Sequence, residues 1–192
     1  MSIWSNSLLR DLDEYLKGHE FWIERRCEVR NNAERVRNLH LAVFVEPFLS
    51  FLLDGRKTVE SKFSIHRRAP FECVRKGDIV LIKASGGPIV AVAEISDIWY
   101  YELNADSRAF IRSRFGEQLC VDPDFWESKA SACYATLMQF SRVDRVDPID
   151  CWKRDRRGWV VLDAPLAQGS LFADSSVVRS PGDSRKTLVI KT

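Results

Sequence analysis

Apolar positions along the chain repeat with two periods, and the change from one to the other divides the sequence. Leu8, Leu9, Leu12, Tyr15 and Leu16 fall on one helical face, with Ser5 or Ser7 available as a cap and Gly18 placed to end the helix. A second helix is predicted over residues 20–37. Trp22, Val29, Ala33 and Val36 share one face there, Arg25, Arg26, Arg30, Arg35 and Arg37 cover the rest, and Asn31-Asn32 can interrupt it. Its apolar side is expected to pack on the remainder of the protein while the arginines face water.

At Asn38 the period shortens. Residues 39–45 form a compact apolar strand, and Glu46-Pro47 then opens a helix carrying Phe48, Leu49, Phe51, Leu52 and Leu53 as far as Gly55. Strands are predicted at 58–63, 78–84 and 88–98, the last two joined by a hairpin at Gly86-Gly87. A helix over 106–118 and a shorter one over 123–130, beginning after Asp122, interrupt the strands. Strands at 134–146 and 159–162 complete the order β-α-β-β-β-α-α-β-β. The fold class predicted is α+β: a small mixed or antiparallel β-barrel with flanking helices and an N-terminal helical extension. The expected divisions are 1–37 for the extension, 38–163 for the barrel domain and 164–192 for a loose tail rich in Ser, Gly, Pro and Asp.

Composition adds exclusions. The 192 residues are 45% hydrophobic and 29% charged, as in a globular protein with a real core. No run approaches the roughly 18–20 apolar residues of a membrane span, and the N-terminus lacks a leader pattern, so a cytoplasmic protein without membrane contact is expected. The five cysteines are scattered without the paired spacing of a zinc site. No metal, cofactor, phosphate-binding loop or serine-hydrolase elbow is indicated.

The net charge of +2 conceals an uneven distribution. Between residues 55 and 83, eight bases (Arg56, Lys57, Lys62, Arg67, Arg68, Arg75, Lys76, Lys83) face three acids (Glu60, Glu72, Asp78). Between residues 94 and 131 the balance reverses, with eight acids and four bases. The basic stretch contains the most informative segment, Gly55-Arg56-Lys57-Thr58-Val59-Glu60-Ser61-Lys62. Gly55 lets the chain leave the helix in a left-handed conformation, Glu60 and Lys62 share one strand face, and Lys57 joins them if it lies in the preceding turn. Pattern alone also fits a solvated edge strand protected by lysines.

This segment resembles the signature of the ASCH family, Gly-x-Lys-x-x-Glu-x-Arg, through Gly55, Lys57 and Glu60, with Lys62 in place of the arginine. The likeness continues through Arg67-Arg68-x-Pro70, Gly77-Asp78 and Lys83-x-Ser85-Gly86-Gly87-Pro88, and spans roughly residues 39–162. Lysine at 62 keeps the charge but loses the planar fork with which arginine grips an anion.

The resemblance implies a PUA-like barrel with a cleft beside the signature, in a family regarded as binding RNA or handling nucleosides. The cleft would lie between the signature strand, the 83–88 hairpin and the helical insertion. Its expected ligand contacts are Gly55, Lys57, Glu60, Lys62, His66, Arg67, Arg68, Lys83, Ser85 and Tyr100, the last, like Trp99 and Tyr101, as a surface for stacking bases. One branch of the family is described as hydrolysing N4-acetylcytidine with a lysine, a threonine and a glutamate. Lys57 matches the lysine and Glu117 the glutamate, but Glu60 occupies the threonine's place, so the hydroxyl nucleophile is missing. A small hydrolase using Lys57, Glu60 and Glu117, or a ribonuclease using Lys57, Glu60 and His66, is therefore the alternative to a binding module. The N-terminal helices offer a surface for a protein partner.

Overall fold

The computed structural model describes residues 8, 11–31, 38–151 and 156–163. Its centre is one mixed six-stranded sheet, curled into a half-barrel, with strand order β2-β5-β4-β3-β1-β6. In chain order the elements are α1 (Glu20–Asn31), β1 (Leu39–Phe44), α2 (Phe48–Leu53), β2 (Val59–Ser64), β3 (Ile79–Ala84), β4 (Ile89–Glu102), α3 (Ala105–Leu119), α4 (Pro123–Ser128), β5 (Tyr134–Ile149) and β6 (Trp159–Asp163). The α+β class and the order of elements from residue 38 onward match the sequence expectation. The expected tail, 164–192, lies outside the described residues, as do residues 32–37 of the second expected helix.

One pairing departs from the antiparallel pattern: β1 runs parallel to β3, with Leu39 opposite Ile79 and Phe44 opposite Ala84. A parallel pair packed on both faces should read as a continuous apolar run, and both strands do apart from His40 and Lys83. Leu39, Leu41, Ile79 and Leu81 point into one core cluster, while Ala42, Phe44, Val80 and Ile82 point into the other. Two long strands, β4 and β5, pair along nearly their whole lengths, and register shifts at Glu94/Ile95 and Ile95/Asp97 bend the ribbon. Beyond the bend its far end packs against α3, where Val59, Tyr101, Ile111, Phe115, Leu119, Ala135 and Leu137 form a third cluster.

The helices begin and end where local chemistry directs. Asn104 and Ser107 exchange side-chain-to-backbone hydrogen bonds of 2.8 Å each, a capping box that starts α3. Asp122 accepts from the Phe125 N–H at 2.8 Å and starts α4, with Pro123 in its first turn.

The N-terminal segment covers one face of the sheet. Leu8, Leu12, Leu16 and Trp22 are buried in the same cluster as β1, β3 and β6. The Trp22 indole N–H donates to Asp144 of β5 at 2.8 Å, and the Arg142 guanidinium lies 4.1 Å from the Phe21 ring centroid. The expectation that the arginines here simply face water fails for two of them. Arg25 pairs with Glu94 of β4 at 3.4 Å, and Arg26 is only 4% exposed. Arg30, Arg35 and Arg37 lie outside the described side chains.

A buried polar network fastens the parallel pair to the loops around it. Asp78 accepts from the backbone N–H groups of Asn38 at 2.8 Å and Arg75 at 2.7 Å, and its Oδ2 lies 2.8 Å from His40 Nε2. Trp159, which can only donate, points its indole N–H at His40 Nδ1 at 3.2 Å. The two contacts together fix one tautomer: Nδ1 accepts, and Nε2 carries the proton that it donates to Asp78. Replacing Asp78 by alanine removes the acceptor for two buried donors and one half-buried one. Asp78→Ala is therefore expected to cost about 3–5 kcal/mol in urea unfolding, and a loss below about 1 kcal/mol would show the network to be dispensable.

Candidate functional site

The signature segment sits in the corner where α2 leaves for β2. Gly55 adopts φ +75° after the last turn of α2, and the Lys57 N–H reaches back to the Phe51 carbonyl at 2.9 Å. The next residue anchors the corner to two other elements. The Thr58 N–H donates to Gln118 at the end of α3 at 3.2 Å, and its carbonyl accepts from Phe140 of β5 at 3.1 Å. Alternation along β2 then sorts the side chains: Val59 and Phe63 enter the core under α3, and Glu60 and Lys62 take the opposite face.

Lys57, Glu60 and Lys62 converge as the spacing allowed. Glu60 Oε2 lies 3.3 Å from Lys57 Nζ and Oε1 lies 2.8 Å from Lys62 Nζ, so one carboxylate bridges two ammonium groups. The cluster is more enclosed than a surface groove would make it: Lys57 is 3% exposed and Glu60 7%. Lys57 also donates to the Leu119 carbonyl at 2.9 Å, at the C-terminal end of α3 where the helix dipole favours a cation, and sits 5.3 Å from the Phe48 ring centroid. Lys62 lies 5.5 Å from the Phe44 ring centroid, and its side chain is 25% exposed. Lys62 is therefore the member of the cluster that solvent reaches.

Burial by itself pushes the Glu60 carboxyl upward and is the largest single influence on it. Lys62 and then Lys57 outweigh burial together, so Glu60 is held below the ordinary carboxylate range. It remains a carboxylate at neutral pH, and its basicity is reduced.

The other predicted residues are distributed around this centre. Lys83, 7% exposed, turns its ammonium to the Ala84 carbonyl at 3.3 Å and to that of Gly87, closing its own hairpin. Ser85 is exposed in that hairpin, and its N–H bonds the Phe44 carbonyl at 2.8 Å. His66, Arg67 and Arg68 are exposed in the loop after β2. Arg67 pairs with Glu102 and lies over the rings of Phe71 and Tyr134. Glu117 is exposed on the last turn of α3, and among the described residues no ion pair joins its carboxylate to Lys57.

The three consecutive aromatics lie in the last four residues of β4. Tyr101 is buried, and Trp99 packs 4.8 Å from the Phe115 ring. Tyr100 exchanges hydrogen bonds with the Val74 backbone, and burial raises its phenol well above the usual range, so it stays protonated.

Sequence reading missed Thr136. The β2–β5 register sets it directly opposite Lys62, and the β5–β4 register sets it opposite Tyr100. Lys62, Thr136 and Tyr100 therefore form one polar row across three strands. Thr136 is 1% exposed, and its hydroxyl has no hydrogen-bond partner among the described residues. Only the cross-strand register could have revealed it.

No family model matches the sequence, and no curated protein matches it. Among solved structures the chain is similar to ASCH from Zymomonas mobilis, at 18% identity over 59% of this chain and 74% of that one, with a TM-score of 0.49. It is also similar to the N-terminal domain of McrB from Staphylothermus marinus, at 8% identity over 60% and 77% of the two chains, with a TM-score of 0.39.

The linkage sign for Glu60 follows from its lowered folded-state pKa. Its contribution to stability is present above the unfolded value, near 4.5, and is lost as pH falls through the folded value. Glu60→Gln is expected to cost about 2–4 kcal/mol at pH 7, because two buried or half-buried ammonium groups lose their shared counter-charge. Stability measured by denaturant across acid pH should also fall less steeply in the variant than in the parent. Parallel curves for the two proteins would show that Glu60 does not carry the acid sensitivity.

Proposed function

We propose that the protein binds RNA or a modified nucleoside beside the 55–62 signature, with Lys62 as the cation that meets the ligand. The observation that carries this reading is the Lys57–Glu60–Lys62 cluster. Two ammonium groups share one carboxylate, leaving a net positive charge whose reachable end is Lys62. The exposed run His66-Arg67-Arg68 follows on the same strand exit, and Arg75 and Lys76 are exposed further along the chain. Basic groups so distributed suit a phosphate-bearing backbone more than a single small anion.

Hydrolysis is less well supported by the same geometry. Lys57 directs its ammonium to a carbonyl, a carboxylate and an aromatic face, Glu60 has lowered basicity, and Glu117 stands apart on the helix surface. Neither a base of suitable strength nor a free nucleophile is assembled among the described side chains of the cluster.

The test is titration of fluorescently labelled single-stranded RNA at two salt concentrations. Affinity is expected to fall with salt, and Lys62→Ala and Arg68→Ala are each expected to weaken binding across sequences and lower the salt slope by about one unit. Binding that ignores salt, or Lys62→Ala binding with parental affinity and slope, would remove phosphate recognition at this site.

A further inference from the structure

A cavity of about 340 Å³ opens between β2, α3 and α4. It lies across β2 from the Lys57–Glu60–Lys62 cluster, because Phe63 in its wall belongs to the core under α3 while Glu60 and Lys62 face the other way. Its size is at the lower end of the roughly 300–1,000 Å³ usual for small-molecule sites.

The lining divides into two chemistries. Phe63, Ala109, Ile111, Trp126 and Ala130 supply apolar wall, and the Phe63 and Trp126 rings meet edge-to-face at 6.3 Å. Arg108, Arg112 and Lys129 supply cations. The lining contains no carboxylate and no Ser, Thr, Asn or Gln.

Among the described residues no acid balances these cations, and Lys129 Nζ lies 5.4 Å from the Phe125 ring centroid. Arg108 and Arg112 stand one turn apart on α3, where like charges repel. Among the described residues none of the three has a carboxylate at ion-pairing distance. Arg108 is fixed in place by donating to the carbonyls of Lys129, at 3.0 Å, and Ala132. Arg112 is exposed. In the stretch 94–131, where acids outnumber bases, three of the four bases thus gather at one opening.

We propose that this cavity binds a small organic anion, an aromatic or short aliphatic body carrying a carboxylate or phosphate, with the body against Phe63 and Trp126 and the charge at Arg112 and Lys129. The apolar wall would leave the polar edges of a nucleobase or sugar unpaired, which disfavours nucleotides, and the cations exclude positively charged ligands. The inference does not rest on the RNA reading, since the two sites lie on opposite faces of β2.

Calorimetric titration of the full chain with phenyl phosphate and phenylacetate tests it, with benzyl alcohol and uridine monophosphate as controls. At least one of the two anions is expected to bind saturably, with the comparison between them showing whether phosphate or carboxylate is preferred. Benzyl alcohol on the parent chain, and uridine monophosphate on Lys62→Ala, should each bind about tenfold more weakly or less. Arg112→Ala, at an exposed position, should weaken the anion about tenfold, and Ala130→Trp should fill the cavity and abolish binding. Lys62→Ala should leave affinity unchanged. The proposal is overturned by absence of saturable binding of both anions, by equal binding of benzyl alcohol, by a preference for uridine monophosphate that persists in Lys62→Ala, or by parental affinity in Arg112→Ala. Loss of the anion in Lys62→Ala would likewise overturn it by moving the ligand to the other face. Should Ala130→Trp fail to fold, as judged by its thermal transition, Arg112→Ala decides.

Discussion

The buried ammonium of Lys57 is the joint on which the architecture of the signature corner depends. An ammonium withdrawn from water costs several kcal/mol unless its donors are met, and here each partner comes from a different place in the chain. Leu119 supplies a carbonyl from the end of α3, Glu60 a carboxylate from β2, and Phe48 a ring face from α2. Meeting the demand of one charge therefore fixes two helices and a strand against one another. The carboxylate so recruited holds Lys62 with its second oxygen, and the cluster ends with one positive charge in excess.

The same strand serves two unrelated surroundings. Its even positions, Glu60 and Lys62, stand on the face shared with Met138 and Thr136 of β5, and its odd positions, Val59 and Phe63, stand under α3. A period of two residues is enough to separate a charged, hydrogen-bonding face from an apolar one. The polar row Lys62–Thr136–Tyr100 and the cation-rimmed cavity behind Phe63 are thus close in sequence terms yet chemically independent. Neither needs its own loop or insertion beyond α3 and α4.

A comparable economy appears at the other end of the sheet. Asp78 accepts from two backbone N–H groups and His40, and Trp159 completes the His40 ring, so β1, β3, β6 and the loop before β3 share one hydrogen-bonded centre inside an apolar core. Satisfied networks of this kind favour a single register, because any slip leaves several donors unpaired at once. The parallel β1–β3 pairing, which has no tight turn to define it, gains its register from such contacts together with the alternation of its apolar residues.

What could be read from the chain itself was local. The elements from residue 38 onward, the cap at Asp122, the left-handed Gly55, the hairpin at Gly86 and the convergence of Lys57, Glu60 and Lys62 all follow from side chains a few residues apart. Tertiary structure decided everything that needed partners distant in sequence. Examples are the parallel pairing of β1 with β3, Trp22 donating to Asp144 across 122 residues, Lys83 turned inward to its own hairpin, and Thr136 set opposite Lys62. It also decided that Lys57 is enclosed instead of presented, since the carbonyl that holds it lies 62 residues away. Propensity, capping and alternation act within a turn or a strand, whereas register and burial are set only when the whole sheet closes on its helices.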